Sequence, residues 1–90
     1  MSVDLEKKYR AAARRWAARW KIENEHAIDV AASILMTRDK VMIGGSFAQA
    51  VVDNNLREAI NRADDTCINY LKFFSVINWN CGSYEILNGE

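Results

Sequence analysis

The sequence has no proline and only four glycines, none of them before Gly44. Nothing among the usual breakers therefore interrupts a helix between Asp4 and about Thr37. There is a single histidine, His26, so sites built on paired imidazoles are excluded. The two cysteines, Cys67 and Cys81, are too few for a disulfide framework and read as free thiols. Cys67 falls on an apolar helical face, and Cys81, beside Gly82, is expected near the surface. No apolar run is long enough to cross a bilayer. The opening residues go straight into charge at Asp4, Glu6, Lys7 and Lys8 without an apolar leader, the pattern of a cytoplasmic chain.

Motifs of catalysis are equally scarce. Gly44-Gly45-Ser46 lacks the Gly-Lys-Ser/Thr of a phosphate loop and reads as a hinge followed by a cap. Asp53-Asn54-Asn55 lacks the further spacing of a calcium loop. Asp64 and Asp65 are adjacent, so on a helix their carboxylates point about 100° apart. His26 has Glu23 and Asp29 on its own helix side and reads as solvated or salt-bridged. No catalytic residue, metal or cofactor is expected, and the chain reads as a non-enzyme.

What is present is an ordinary globular composition, half apolar and 27% charged, in 90 residues that make one domain over 1–90. The zero net charge hides a split. Residues 1–22 carry seven basic groups against two acidic ones, a net of +5, and residues 23–90 carry five against ten, a net of −5. Such asymmetry points either to an internal electrostatic match or to a surface kept for an anionic partner.

Apolar spacing indicates an all-α fold. Tyr9, Ala13, Trp16, Trp20, Glu23, Ala27, Val30 and Ile34 alternate by four and three, with Glu23 the one misfit. One long helix over about 4–37 follows, about 50 Å in length, capped by Ser2 or Asp4. Two helices meeting near Glu23–Asn24 are the alternative. A short helix is expected over about 47–53 behind an N-cap at Ser46. Asn54 or Asn55 then turns the chain in the left-handed conformation. A second long helix over about 55–78 would place Leu56, Ala59, Ile60, Ala63, Cys67, Tyr70, Leu71, Phe74 and Ile77 on one face. The tail 80–90 would dock as an extended segment. Two long antiparallel helices around a short one make a thin core, so completion as a dimeric helical bundle is expected.

The first helix carries the binding chemistry. Lys7, Arg10, Arg14 and Lys21 line one flank and Lys8, Arg15 and Arg19 the other, with Ala11 and Ala18 between them. A phosphate backbone or an acidic protein surface fits such a strip, with arginine offering bidentate contacts. The competing reading is a solvated face whose charges pair within the protein. Trp16 and Trp20 are core residues on the stripe or anchors in an interface. Trp79, where the second helix becomes apolar on more than one side, is a further contact residue.

The stretch from Gly44 to Asp64 carries Gly-Gly-Ser-Phe, then Ala and two apolar residues, Asn-Asn-Leu, and Ala-x-x-x-Ala-Asp. It resembles a pattern in small accessory proteins of tailed phages and prophages of enteric bacteria. The resemblance covers about a quarter of the chain and implies a mobile-element origin. It also implies a class habit of binding and redirecting or inhibiting larger host or rival machines, such as defence or packaging complexes. It transfers no catalytic residue. The expected function is a non-enzymatic factor in the bacterial cytoplasm that binds such a complex through Lys7, Arg10, Arg14, Arg15, Arg19, Lys21 and Trp79. A small DNA- or RNA-binding protein using the first helix is the alternative.

Overall fold

A computed structural model describes residues 3–89, Val3 by its backbone alone. Among these residues all regular structure is helical: α1 Val3–Arg19, α2 Glu25–Arg38, α3 Ser46–Val52, α4 Leu56–Arg62, α5 Asp65–Asn69, α6 Leu71–Asn80 and α7 Ser83–Asn88. The all-α expectation holds. The two-long-helix arrangement does not, because each long helix is divided, and the molecule is only 33 Å in its longest dimension.

The first division follows from backbone chemistry that needs no glycine. Lys21 takes a left-handed φ of 56°. The Ile22 N–H then donates to Ala17 O at 2.9 Å and the Lys21 N–H to Ala18 O at 3.1 Å. This paired pattern closes a helix C-terminus and puts an apolar residue just beyond it, here the buried Ile22. Asn24 starts the next helix, its side chain accepting from Ala27 N–H at 3.0 Å. The continuous helix over 4–37 is therefore replaced by its alternative, a break at residues 20–24. The same ending recurs twice. Lys40, at φ 62°, ends α2 with Val41 N–H on Met36 O, and Asn54, at φ 58°, ends α3 with Asn55 N–H on Ala50 O.

Other caps also differ from expectation. Gly45, not Ser46, precedes α3 as its cap, and Asp4 lies inside the first turn of α1. Ser2 lies outside the described residues. Neither Gly44 nor Gly45 has a positive φ. Gly44 is instead needed for space: a Cβ there would meet Thr37 Oγ1 at 2.3 Å.

The second long helix breaks at Ala63, whose extended backbone leads to Asp64, the cap of α5. It then kinks at Tyr70, where Phe74 N–H still reaches Tyr70 O at 3.0 Å. The break splits the expected face. Ala59, Cys67, Phe74 and Ile77 are buried, whereas Leu56 and Ile60 are exposed. The tail is a helix, α7, not an extended segment, and Gly89 ends it in the left-handed conformation.

α1 and α2 form an antiparallel hairpin. α2 is the central element and packs against α1, α3, α5 and α6. Its small residues Ala27, Ala31 and Ala32 are buried alongside Ile28, Ile34 and Leu35. Phe73 and Phe74 fill the space beyond, with Phe74 edge-on to Phe47 at 5.7 Å. α7 closes the other side by packing on α1, with Ile86 fully buried. This core closes within one chain, so it is not the thin two-helix layer from which a second copy was expected. Cys81 is fully buried, contrary to its expected surface position, because it sits where α6 turns into α7. No helix among the described residues is long and apolar enough to cross a membrane.

Candidate functional site

The basic rows of α1 meet different fates. On the first flank, Arg10 pairs with Asp29, and Arg14 holds Glu25 through two bonds of 2.9 Å. These pairs run antiparallel across the hairpin, so acidic residues of α2 answer the charge of α1. The Arg14 hydrogen bond lowers the Glu25 carboxyl's pKa, and Glu25 raises that of Arg14. Both groups are exposed, so the pairing orients side chains and adds little stability. On the second flank, Arg15 is half-buried and donates to Glu85 O at 3.2 Å. Trp16 Nε1 donates to Glu85 Oε1 at 3.1 Å, and the Arg19 guanidinium lies 4.9 Å from the Trp16 ring. Among the described residues, Lys7, Lys8, Arg19 and Lys21 make no ion pair. Ala11 and Ala18 are exposed between the rows.

The second flank leads to the corner between α6 and α7. Arg38 fixes that corner from beneath. Its Nη1 donates to Asn78 O at 2.9 Å and to Cys81 O at 2.6 Å, closing the C-terminal end of α6. Its Nε holds Asp39 Oδ1 at 2.8 Å. Asp39 Oδ2 accepts from Tyr9 Oη at 2.8 Å and from Ser83 Oγ at 3.0 Å. One carboxylate thus ties α1, the end of α2 and the start of α7 together. Burial works against its charge, but the Arg38, Tyr9 and Ser83 hydrogen bonds prevail and hold its pKa below the usual value. Burial, then the bond to Asp39, push the Tyr9 phenol up to about 12.

On this pinned frame the aromatic side chains point outward. Trp79 is 72% exposed and Tyr84 73%, and Leu87 is exposed as well. The buried side-chain polar atoms left without a partner among the described residues, Arg15 Nε and Asn78 Oδ1, both belong to this junction. Unsatisfied buried groups are uncommon and concentrate where a structure serves something besides stability. Of the sequence-predicted contact residues, Trp79 lies at the corner itself, Arg15 reaches Glu85 of α7, and Arg19 stacks on Trp16, which bonds the same Glu85. Lys7 stays exposed on α1 and Lys21 in the turn that follows it, and Arg10 and Arg14 are engaged with α2. Trp16 is half-buried, and Trp20, which packs on Phe73 at 5.7 Å, is still 37% exposed. Tyr84 was missed because the tail read as extended. Its signal was the Gly82-Ser83 start and the final Gly89 of a short helix.

A second cluster joins residues far apart in sequence. His26 Nε2 lies 2.9 Å from Asp64 Oδ2, while Asp64 Oδ1 accepts the Cys67 N–H at 2.8 Å. His26 is exposed and hydrogen-bonded, with a partner that comes from across the fold and not from Glu23 or Asp29. The Cys67 N–H, then the His26 contact, lower the Asp64 pKa to about 2. Burial, then the facing Asp64, push the Cys67 thiol up to about 11. A thiol so protonated is a poor nucleophile, because the activated cysteine of a Cys–His pair needs the imidazole, not a carboxylate, against its sulfur. The spacing Asp64-x-x-Cys67 was a legible capping signal; the approach of His26 was not.

Comparison with protein-family models, with curated proteins and with solved structures gives no match to this chain.

Proposed function

We propose that this chain is a non-enzymatic binding factor of a phage or phage-like element in the bacterial cytoplasm. It docks on a larger host or rival protein complex, such as a defence or packaging assembly, through the α6–α7 corner and the adjoining cations of α1. The mobile-element part rests on the Gly44–Asp64 resemblance alone. The docking part is carried by one observation: Trp79 and Tyr84 are each more than two-thirds exposed on a corner whose backbone is tied from three sides. Exposed Trp and Tyr on a rigid frame are the side chains that most often dominate an interface, because they bury much area at little entropic cost. Arg19, exposed and stacked on the Trp16 ring that bonds Glu85 of α7, adds a cation beside this helix, which suits an apolar pocket bordered by acidic groups.

The nucleic-acid alternative draws less support. Arg10 and Arg14 already have carboxylate partners, and what is left is a handful of separate cations. A second copy of this chain is another occupant the corner fits.

The test immobilises the purified chain and exposes it to lysate of an enteric bacterium. Defined proteins retained by the wild type and released by the double substitution Trp79→Ala, Tyr84→Ala are the expected result, with Arg19→Glu weakening capture. If no protein is retained, or retention ignores the double substitution, the proposal is wrong. Gel-shift assays at low salt with duplex and single strands decide the nucleic-acid reading, which predicts binding that falls steeply with salt. Sedimentation of the wild type and the double variant decides whether the occupant is a second copy.

A further inference from the structure

One cluster away from the corner gathers a nitrogen, an oxygen and a sulfur ligand from the starts of two helices, α2 and α5. The imidazole of His26, the carboxylate of Asp64 and the thiol of Cys67 have their ligand atoms all within 4.8 Å of one another. We infer that His26, Asp64 and Cys67 form a zinc-binding site with three protein ligands and a fourth position open to the neighbouring cavity.

Geometry and ligand type both support zinc. Atoms bound to one tetrahedral zinc stand about 3.3 to 3.8 Å apart, from bond lengths near 2.0 Å to nitrogen and oxygen and 2.3 Å to sulfur. The cluster brackets that range, from the 2.9 Å between His26 Nε2 and Asp64 Oδ2 to the 4.8 Å limit. The side chains of His26 and Asp64 are both more than half exposed, so small rotations complete the shell. Cys67, the buried member, is fixed in the first turn of α5. Asp64 uses Oδ1 to cap that turn, which leaves Oδ2 for the metal and locks the carboxylate beside the sulfur.

The mixed nitrogen, oxygen and sulfur set suits a borderline-soft ion. Calcium and magnesium prefer shells of oxygen alone, copper(I) prefers more sulfur, and the common iron(II) triad needs a second imidazole. Beside the ligands lies a cavity of about 210 Å³, bordered also by Val30, Phe47 and Arg62. It has room for a water or a small anion on the fourth position. Arg62 is the one cation at its rim, and Glu58 holds its Nε at 3.3 Å. Binding exchanges the His26–Asp64 hydrogen bond for two metal bonds: the Nε2–H bond breaks as the Zn–N bond forms, the nitrogen keeps the electron pair, the proton leaves to water, and Nδ1 holds the N–H of the bound ring. The Cys67 S–H bond breaks as the Zn–S bond forms, the sulfur keeps the electron pair, and the proton leaves to water.

The experiment uses the full chain, freed of metal by a chelator and titrated with zinc chloride in a calorimeter and with cobalt(II) in a spectrophotometer. Saturation at one equivalent is expected, with a thiolate-to-cobalt charge-transfer band and the intense visible bands of a tetrahedral ion. His26→Ala and Asp64→Asn should each weaken zinc binding by at least about tenfold. Both sites are exposed, and asparagine keeps the cap, so folding survives and is checked by circular dichroism. Cys67→Ser should abolish the charge-transfer band, and Cys81→Ser should change nothing. No saturable binding near one equivalent, binding unaltered by His26→Ala, or a cobalt spectrum of six oxygen ligands would each overturn the inference.

Discussion

In the α1–α2 hairpin, charge is dense and part of it is answered locally: Arg10 meets Asp29 and Arg14 meets Glu25. In the α6–α7 corner, charge is sparse, the backbone is held by Arg38 and Asp39, and large aromatic side chains are left in solvent. The hairpin looks like a binding surface when charge is counted along the chain. The corner looks like one when burial is measured in space. A run of arginines on a helix has an inexpensive structural use, since acidic residues on the next helix neutralise it and keep it soluble. A pair of exposed aromatics on a rigid corner has no comparable structural use, because burying them would add stability. Surface left unburied on a well-fixed frame is therefore the better guide to a partner than charge density.

The largest expected effect separates the two kinds of residue within the corner. Ile86 is fully buried under α7, so Ile86→Ala should cost about 2 to 5 kcal/mol in urea unfolding. Trp79→Ala, at an exposed position seven residues away, should stay within about 0.5 kcal/mol. If Trp79→Ala proved as damaging as Ile86→Ala, the corner would be core and not a docking surface.

The joint between the two regions gives the next effect. Folding raises the Tyr9 phenol from 10.0 to about 12. Its contribution is therefore fully present below pH 10 and is lost as pH climbs through 12, at roughly 2 to 3 kcal/mol. Tyr9→Phe should remove that decline, read as the difference between the two unfolding curves over this range. Asp39 acts at the other end. Its pKa is lowered from 3.8, so its contribution is present above that pH and is lost as pH falls through the lower folded value. Asp39→Asn should flatten the acid limb.

Much of the fold was legible. The all-α class, the α3 helix, a left-handed asparagine at 54 or 55 and the burial of Cys67 all follow from spacing and local chemistry, and the structure places the left-handed residue at Asn54. What was not legible is instructive. The heptad stripe stays in phase through residues 20–24, yet the chain breaks there, because Lys21 accepts a left-handed backbone in exchange for burying Ile22 and folding α2 back on α1. Periodicity reports which residues want one side, and it does not report whether tertiary packing would bend the helix between them. Trp79 was readable from the widening apolar surface near the end of α6. The corner as a whole was not, because Arg38 reaches the α6 carbonyls from 40 residues away. The His26–Asp64–Cys67 cluster was invisible for the same reason.

Gly44→Ala acts on the side of α2 that faces α3 and serves as a control for the comparison. The new methyl would meet Thr37 Oγ1, which is itself bonded to Ser33 O at 2.7 Å. A loss of about 1 to 3 kcal/mol is expected in thermal or urea unfolding. The accessibility of Trp79 to a fluorescence quencher should not change, since the new methyl meets Thr37, Ala48 and Ser33 and none of the groups that hold the corner. A quencher response at Trp79 would mean that the corner is coupled to α3 and less rigidly held than its hydrogen bonds imply.

The smallest effect tests the hairpin turn itself. Lys21 and Lys40 hold left-handed conformations that cost a side-chain-bearing residue about 1 kcal/mol and glycine nothing. Lys21→Gly and Lys40→Gly should each therefore stabilise the fold by roughly 0.5 to 1 kcal/mol, less the greater freedom of glycine in the unfolded chain. Lys21 is also one of the cations that make no ion pair among the described residues, so its replacement separates two roles. If Lys21→Gly raises stability and leaves partner capture intact, the residue is a turn, and the docking surface lies at the corner. If it raises stability while capture is lost, the cations of the hairpin belong to the interface after all. Lys40→Gly, at the same kind of turn on the end of α2, provides the stability reference against which that loss would be judged.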